Sequence, residues 1–115
     1  MNHRRITTER QFKSATGYSK SEFESLYEIF EQVYEQEKGQ SYEEYHEENV
    51  YELPKLKNLE DCLFFVLFQL KNDLLYDSLG AVFQMSGSTA HENYKKYLKV
   101  LEQALRKKSV SEEAL

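Results

Sequence analysis

Between Asn58 and Asp73 the chain reads Asn-Leu-Glu-Asp-Cys-Leu-Phe-Phe-Val-Leu-Phe-Gln-Leu-Lys-Asn-Asp, with seven consecutive apolar residues from Cys62 to Phe68. A segment that is apolar on nearly every side has no face for water, so it must be buried all round. Length separates helix from strand. The flanking signals span about twelve residues, longer than a buried strand of about 4–8. Asn58 is an N-cap residue type, and Glu60 and Asp61 put carboxylates in the first turn, where the helix dipole favours them. The segment is therefore predicted to be the central helix of a helical bundle. Seven apolar residues are far short of the ~20 that a membrane-spanning helix needs.

The rest of the chain has to wrap that helix, and its periods are helical too. Thr7-Thr8-Glu9 is a helix start with Phe12 as its anchor and Gly17 as its left-handed end. Ser19-Lys20-Ser21-Glu22 has the spacing of a capping box. Phe23, Leu26, Tyr27, Phe30, Val33 and Tyr34 follow at intervals of three and four, one apolar stripe. Glu24, Glu28, Glu31 and Glu35 lie on the opposite face, and Gly39 closes the helix. From Gln40 to Glu52 dense acid and few aliphatics break the pattern, which predicts a linker or arm, and Leu53-Pro54 enters the next unit in extended form.

Asp77 to Tyr94 has a different organisation. A short apolar segment ending at Phe83 meets a tight turn at Met85-Ser86-Gly87. A second helix then opens on Ser88 or Thr89 and is predicted to run to about Lys107. A short helix, a turn of about 3–4 residues and a capped second helix are the parts of a helix-turn-helix. Ala90, Tyr94, Tyr97, Leu98, Leu101 and Leu105 form the second helix's predicted inward stripe. Lys95, Lys96 and Lys99 lie outside, and Arg106-Lys107-Lys108 sit at its predicted end. The expected fold is all-α, a bundle of about five helices containing a helix-turn-helix. Its divisions are an N-terminal helical pair (1–39), an acidic arm (40–57), the helix-turn-helix domain (58–108) and a frayed tail (109–115).

Composition narrows the function classes. The formal net charge is −5, with 40% hydrophobic and 30% charged residues, values of an ordinary globular chain. The charge is unevenly spread. Residues 1–52 hold six Lys/Arg against twelve Asp/Glu, whereas residues 53–108 hold nine against six. The half with the helix-turn-helix is thus mildly basic, the electrostatic sense that DNA requires. The single cysteine, Cys62, leaves no internal disulfide and fits a reducing cytoplasm. The polar N-terminus gives no sign of a secretory leader.

The run from Leu53-Pro54-Lys55-Leu56 through Leu59-Glu60-Asp61-Cys62-Leu63 to Leu79-Gly80-Ala81-Val82-Phe83-Gln84-Met85-Ser86-Gly87-Ser88-Thr89-Ala90 resembles the N-terminal helix-turn-helix domain of bacterial insertion-sequence transposases with a DDE nuclease. Phe12, Thr16-Gly17-Tyr18-Ser19, Phe23 and Leu26 are similar to that family's N-terminal helical pair. Gln84 replaces the turn glycine, Ala90 a valine, and His91-Glu92 a Ser-Arg pair, and the linker is acidic where the family's is basic. The resemblance implies double-stranded DNA as partner, at transposon ends, with self-association or a separate transposase catalytic subunit as further partners. It implies no cofactor and no catalytic residue on this chain, which would be a truncated transposase or the first frame of a split one.

Docked on DNA, Ser86, Gly87, Ser88, His91, Glu92 and Lys95 would face the groove and Lys96 and Lys99 the phosphates. Ser88 and Thr89 would offer hydroxyls and N–H groups at a helix N-terminus. His91 and Lys95 can donate to guanine, and Glu92 can accept from cytosine N4. The contrasting expectation is a helical module that keeps the fold for protein interaction: Ser88 or Thr89 only caps, and the lysines only solvate. His46 with Glu43, Glu47 and Glu48 lacks the second histidine that a zinc site needs, so no metal is expected. Phe64, Phe65 and Phe68 are expected in the core, while Tyr42, Tyr45 and Tyr51 are open between docking on the fold and docking on a partner.

Overall fold

The computed structural model describes residues 8–42, 44 and 56–113, the side chains of 111–113 excepted. Among the described residues five helices with defined bounds follow in order: α1 (Glu9–Thr16), α2 (Lys20–Lys38), α3 (Leu59–Asn72), α4 (Tyr76–Phe83) and α5 (Gly87–Glu113). No strand occurs among the described residues. The bundle of about five helices is the architecture expected.

Local chemistry sets most of the boundaries. Thr8 Oγ1 accepts from the Gln11 N–H at 3.1 Å and starts α1. Ser19 and Glu22 form the reciprocal capping box that starts α2, and Asn58 caps α3 by accepting from Asp61 N–H at 2.8 Å. Gly17 and Gly39 end α1 and α2 with φ of 80° and 70°. Asp73 ends α3 at φ 48°, a left-handed cap that Asp tolerates better than most side chains.

The central helix α3 is buried from Leu59 along most of its length, with Cys62 to Gln69 all enclosed. Its aromatic side chains knit the bundle. Phe64 lies 6.0 Å from Phe12 of α1, 6.1 Å from Phe68 and 6.2 Å from Phe83 of α4, ring centre to ring centre. Phe65 and Phe68 meet Phe83 edge-on at 4.9 and 5.5 Å. Such pairs add about 0.5–1.5 kcal/mol each beyond the burial of their area.

Polar groups fix the turns between these packed faces. The buried Gln69 amide donates to Leu74 O at 2.8 Å and accepts from Leu74 N–H at 3.1 Å, so one side chain holds both backbone groups between α3 and α4. Asn72 donates to Ala15 O at 3.1 Å and ties the end of α1 to α3.

The predicted stripe of α2 is buried at Phe23, Leu26, Phe30, Val33 and Tyr34, while Tyr27 is half-buried and donates its hydroxyl to Glu31 at 3.0 Å. Glu24, Glu28, Glu31 and Glu35 are exposed. Tyr42 belongs to the core: its ring lies 5.9 Å from Tyr34 and its hydroxyl donates to Leu56 O. That hydrogen bond brings the two ends of the acidic arm together. Residues 43 and 45–55, which include Tyr45, His46, Glu47, Glu48 and Tyr51, lie outside the described residues.

Two expectations about α5 are corrected. The helix does not end near Lys107 but continues to Glu113, so residues 109–113 are helical and Arg106-Lys107-Lys108 are internal. No Gly or Pro follows Gly87, so nothing in the sequence breaks the helix there. The inward stripe is also turned. Ala90, Tyr97, Val100, Leu101 and Ala104 are buried, Tyr94 and Leu98 are half-buried, and Leu105 is exposed. α5 packs against α2 as well as α4 and α3, and the packing on α2 selects the neighbouring row of side chains.

Candidate nucleic-acid interface

The helix-turn-helix is built on close approach. α4 ends at Gln84, whose φ of 61° and ψ of 43° turn the chain left-handed. Met85 N–H then donates to Gly80 O at 2.8 Å. The turn packs so tightly that a Cβ on Gly80 would lie 2.3 Å from Met85 O and 2.9 Å from the Ser86 carbonyl carbon. Glycine at 80 lets α4 and the turn touch.

The second helix opens one residue after the turn. Ser86 O accepts from Ala90 N–H at 2.9 Å and Ser86 Oγ accepts from Thr89 N–H at 3.2 Å, so Ser86 is the cap. Ser88 and Thr89, the caps expected, stand inside the first turn instead. The reason is spacing: with Gln84 already left-handed, Ser86 is the hydroxyl three residues before a free N–H. Its hydroxyl also donates to Thr89 Oγ1 at 2.9 Å and lies 3.3 Å from Ser88 Oγ, giving three exposed hydroxyls in one cluster. Gly87 is half-buried, and a Cβ there would meet Asp77 Oδ1 at 1.9 Å and Asp77 N at 3.1 Å. It serves the packing of α5 on α4 and brings backbone, rather than a side chain, to this end.

Beyond the first turn, His91, Glu92, Lys95 and Lys99 are all exposed. Positions 88, 92, 95 and 99, three or four apart, share one helix face. His91 is not loose: its ring stacks on Tyr76 of α4 at 4.4 Å and 25°. Tyr76, the first residue of α4, sets the plane of the imidazole on α5. Nothing in its spacing marks it, because the partner is fifteen residues away in sequence.

Lys96 departs from the other lysines. It is half-buried, its Nζ is 5.2 Å from the Tyr97 ring centre, and burial first, then the charge of Lys38, lowers its pKa. It faces α2 rather than the open side. Behind it Tyr97 and Cys62 are buried, and burial raises both pKa values, that of Cys62 to about 12, with the Tyr97 and Tyr42 hydroxyls directed at the thiol. Cys62 is a small buried core residue, not a nucleophile. Among the described residues no group of His, Cys, Asp or Glu is placed to hold a metal ion, and no helix is long and apolar enough to cross a membrane.

Residues 54–107 match the family described as helix-turn-helix of DDE superfamily endonuclease. The match takes in α3, α4 and most of α5, the helices that carry the Gly80 approach and the Ser86 cap. The match supports a helix-turn-helix domain of the DDE-type transposases at residues 54–107. The α1–α2 pair lies outside the matched segment, and no curated protein and no solved structure matches the chain. A helix-turn-helix domain of this class points to DNA as its partner. The part of a DDE enzyme that the match identifies is this domain and not the nuclease.

Proposed function

We propose that this chain recognises the terminal inverted repeats of a transposable element through residues 86–99, acting as the end-binding part of a transposase in the bacterial cytoplasm. The observation that carries the reading is the exposed first half of α5. A capped N-terminus with clustered hydroxyls, then His91, Glu92, Lys95 and Lys99 on open faces, stands in the domain that the family match covers. In such domains the second helix lies in the major groove with its N-terminal residues on base edges. Ser86, Ser88 and Thr89 then meet phosphate at the positive end of the helix dipole. His91, held by Tyr76, and Lys95 donate to purine edges, and Glu92 accepts from cytosine.

DDE chemistry needs carboxylates converging on two metal ions. The family match takes in the helix-turn-helix and not a nuclease, and in this reading the nuclease is supplied elsewhere, on a following segment or a separate chain. The test is fluorescence anisotropy with a duplex cut from the element's own ends and a scrambled duplex of equal composition. The end duplex is expected to bind more tightly, with log affinity falling linearly in log salt, and Lys95→Glu with Lys96→Glu to abolish binding. Equal, weak binding to both duplexes would overturn specific end recognition.

A second reading has one observation in its favour. The exposed carboxylates of Glu24, Glu28, Glu31 and Glu35 form an acidic face on α2, and Glu92 puts another on α5. A protein partner or a second copy would suit those faces better than DNA. Self-association in light scattering, with no anisotropy change on either duplex, would favour it.

A further inference from the structure

A cleft of about 520 Å³ runs between the C-terminal end of α2 and the outer side of α5. Five cations line it: Lys38 from α2, and Lys95, Lys96, Lys99 and Arg106 from α5. Three carboxylates, Glu37, Glu92 and Glu102, share the lining, so the cleft is net positive in a chain whose net charge is −5. It begins at Glu92 and Lys95 and shares them and Lys99 with the reading face, so the two are continuous.

Geometry says what must lie there if α5 enters DNA. From Glu92 to Arg106 the helix rises by about 21 Å at 1.5 Å per residue. The major groove is only about 12 Å wide. A helix that crosses the groove with its first turns on the bases carries its later turns out over the sugar-phosphate backbone, and in α5 those later turns form one wall of the cleft. The other wall is the end of α2, outside the matched segment 54–107. Lys38 stands in the last turn of α2, where the helix dipole favours a cation. The dipole accounts for a cation at that end; it does not account for four more on the facing helix. Burial and the charge of Lys38 both disfavour the Lys96 ammonium, and a polyanion in the cleft would offset both.

We propose that this cleft is a second phosphate-binding surface, in which Lys38 and Arg106 with Lys96 and Lys99 hold the DNA backbone beside the groove read by α5. The proposal rests on the DNA-binding reading above. It makes the end of α2 part of the interface rather than a prop for it. Because phosphates carry no sequence, the cleft contributes equally on any duplex.

The test uses the full chain, a fluorescein-labelled mixed-sequence duplex and the end duplex, with affinity measured by anisotropy at several salt concentrations. Removing one cation that neutralises a phosphate is expected to lower the slope of log affinity against log salt by about 0.9. Lys38→Ala and Arg106→Ala should each show that decrease, on both duplexes alike. Lys13→Ala, which removes the same charge from an exposed position of α1 outside the cleft, should keep the wild-type slope. Circular dichroism checks that each variant is folded, and either cleft variant alone suffices. If wild type binds and both cleft variants keep its slope, the cleft proposal falls while end recognition stands. If wild type binds neither duplex at low salt, the DNA reading and the cleft fall together.

Discussion

Replacing Gly80 by alanine separates the packing account from helix propensity, because the two predict opposite signs. In an ordinary helix interior, Gly→Ala stabilises by about 1 kcal/mol. At position 80 the new Cβ would lie 2.3 Å from Met85 O, 2.9 Å from the Ser86 carbonyl carbon and 3.0 Å from Ser86 O. All three atoms are backbone, so no side-chain rotation relieves the clash. Reaching the ~3.5 Å of ordinary van der Waals separation requires the turn to lift by about 1 Å. Overpacking of this kind costs about 1–3 kcal/mol. Loss of the 2.8 Å bond from Met85 N–H to Gly80 O adds about 1 kcal/mol.

Set against the propensity gain, Gly80→Ala should destabilise the chain by about 2 kcal/mol. With a urea dependence of about 1–2 kcal/mol per molar, the midpoint falls by about 1–2 M. The assay is urea unfolding followed by far-ultraviolet circular dichroism, with Ala81→Gly at the exposed neighbouring position as a comparator. A Gly80→Ala variant as stable as wild type, or more so, would refute close packing between α4 and the turn.

Other outcomes follow from single interactions. Ser86→Ala removes the cap of α5 and should cost about 1 kcal/mol, whereas Ser88→Ala should stay within about 0.5 kcal/mol of wild type in the same melt. Cys62 should resist iodoacetamide at pH 8 until urea unfolds the chain, because burial pushes its pKa up to about 12; mass spectrometry showing rapid labelling of the native protein would contradict this. The Ser19 backbone N–H, then its hydroxyl, holds the Glu22 carboxyl below its usual pKa. The capping box therefore adds stability above the ordinary carboxylate pKa and loses it as pH falls through the lowered value. A carboxyl NMR titration should place the Glu22 midpoint higher in Ser19→Ala than in wild type.

What the sequence disclosed was what local chemistry decides. The caps at Thr8, Ser19 and Asn58, the left-handed ends at Gly17 and Gly39, and the enclosed run from Cys62 to Phe68 depend on near neighbours or on composition alone. What it hid depends on partners distant in the chain. The rows Leu98–Leu105 and Tyr97–Val100–Ala104 of α5 are equally apolar, and only the position of α2 decides which is buried. Tyr42 reads as part of an acidic arm until Leu56 and Tyr34 close around it. Gly80 looks ordinary until Met85 and Ser86 are seen against it, and Lys96 reads as an outer lysine until α2 lies beside it. The cap falls at Ser86, two or three residues before the expected Ser88 or Thr89, because all three are competent hydroxyls and the turn geometry selects among them.

The first half of α5 is the surface proposed to meet DNA. Amide chemical-shift mapping of the full chain tests it directly. On adding the end duplex, the largest changes should fall on residues 86–99. The exposed acidic face of α2, at Glu24, Glu28 and Glu31, should stay unperturbed. Shifts centred on that acidic face, or none on 86–99 at saturating duplex, would contradict the account.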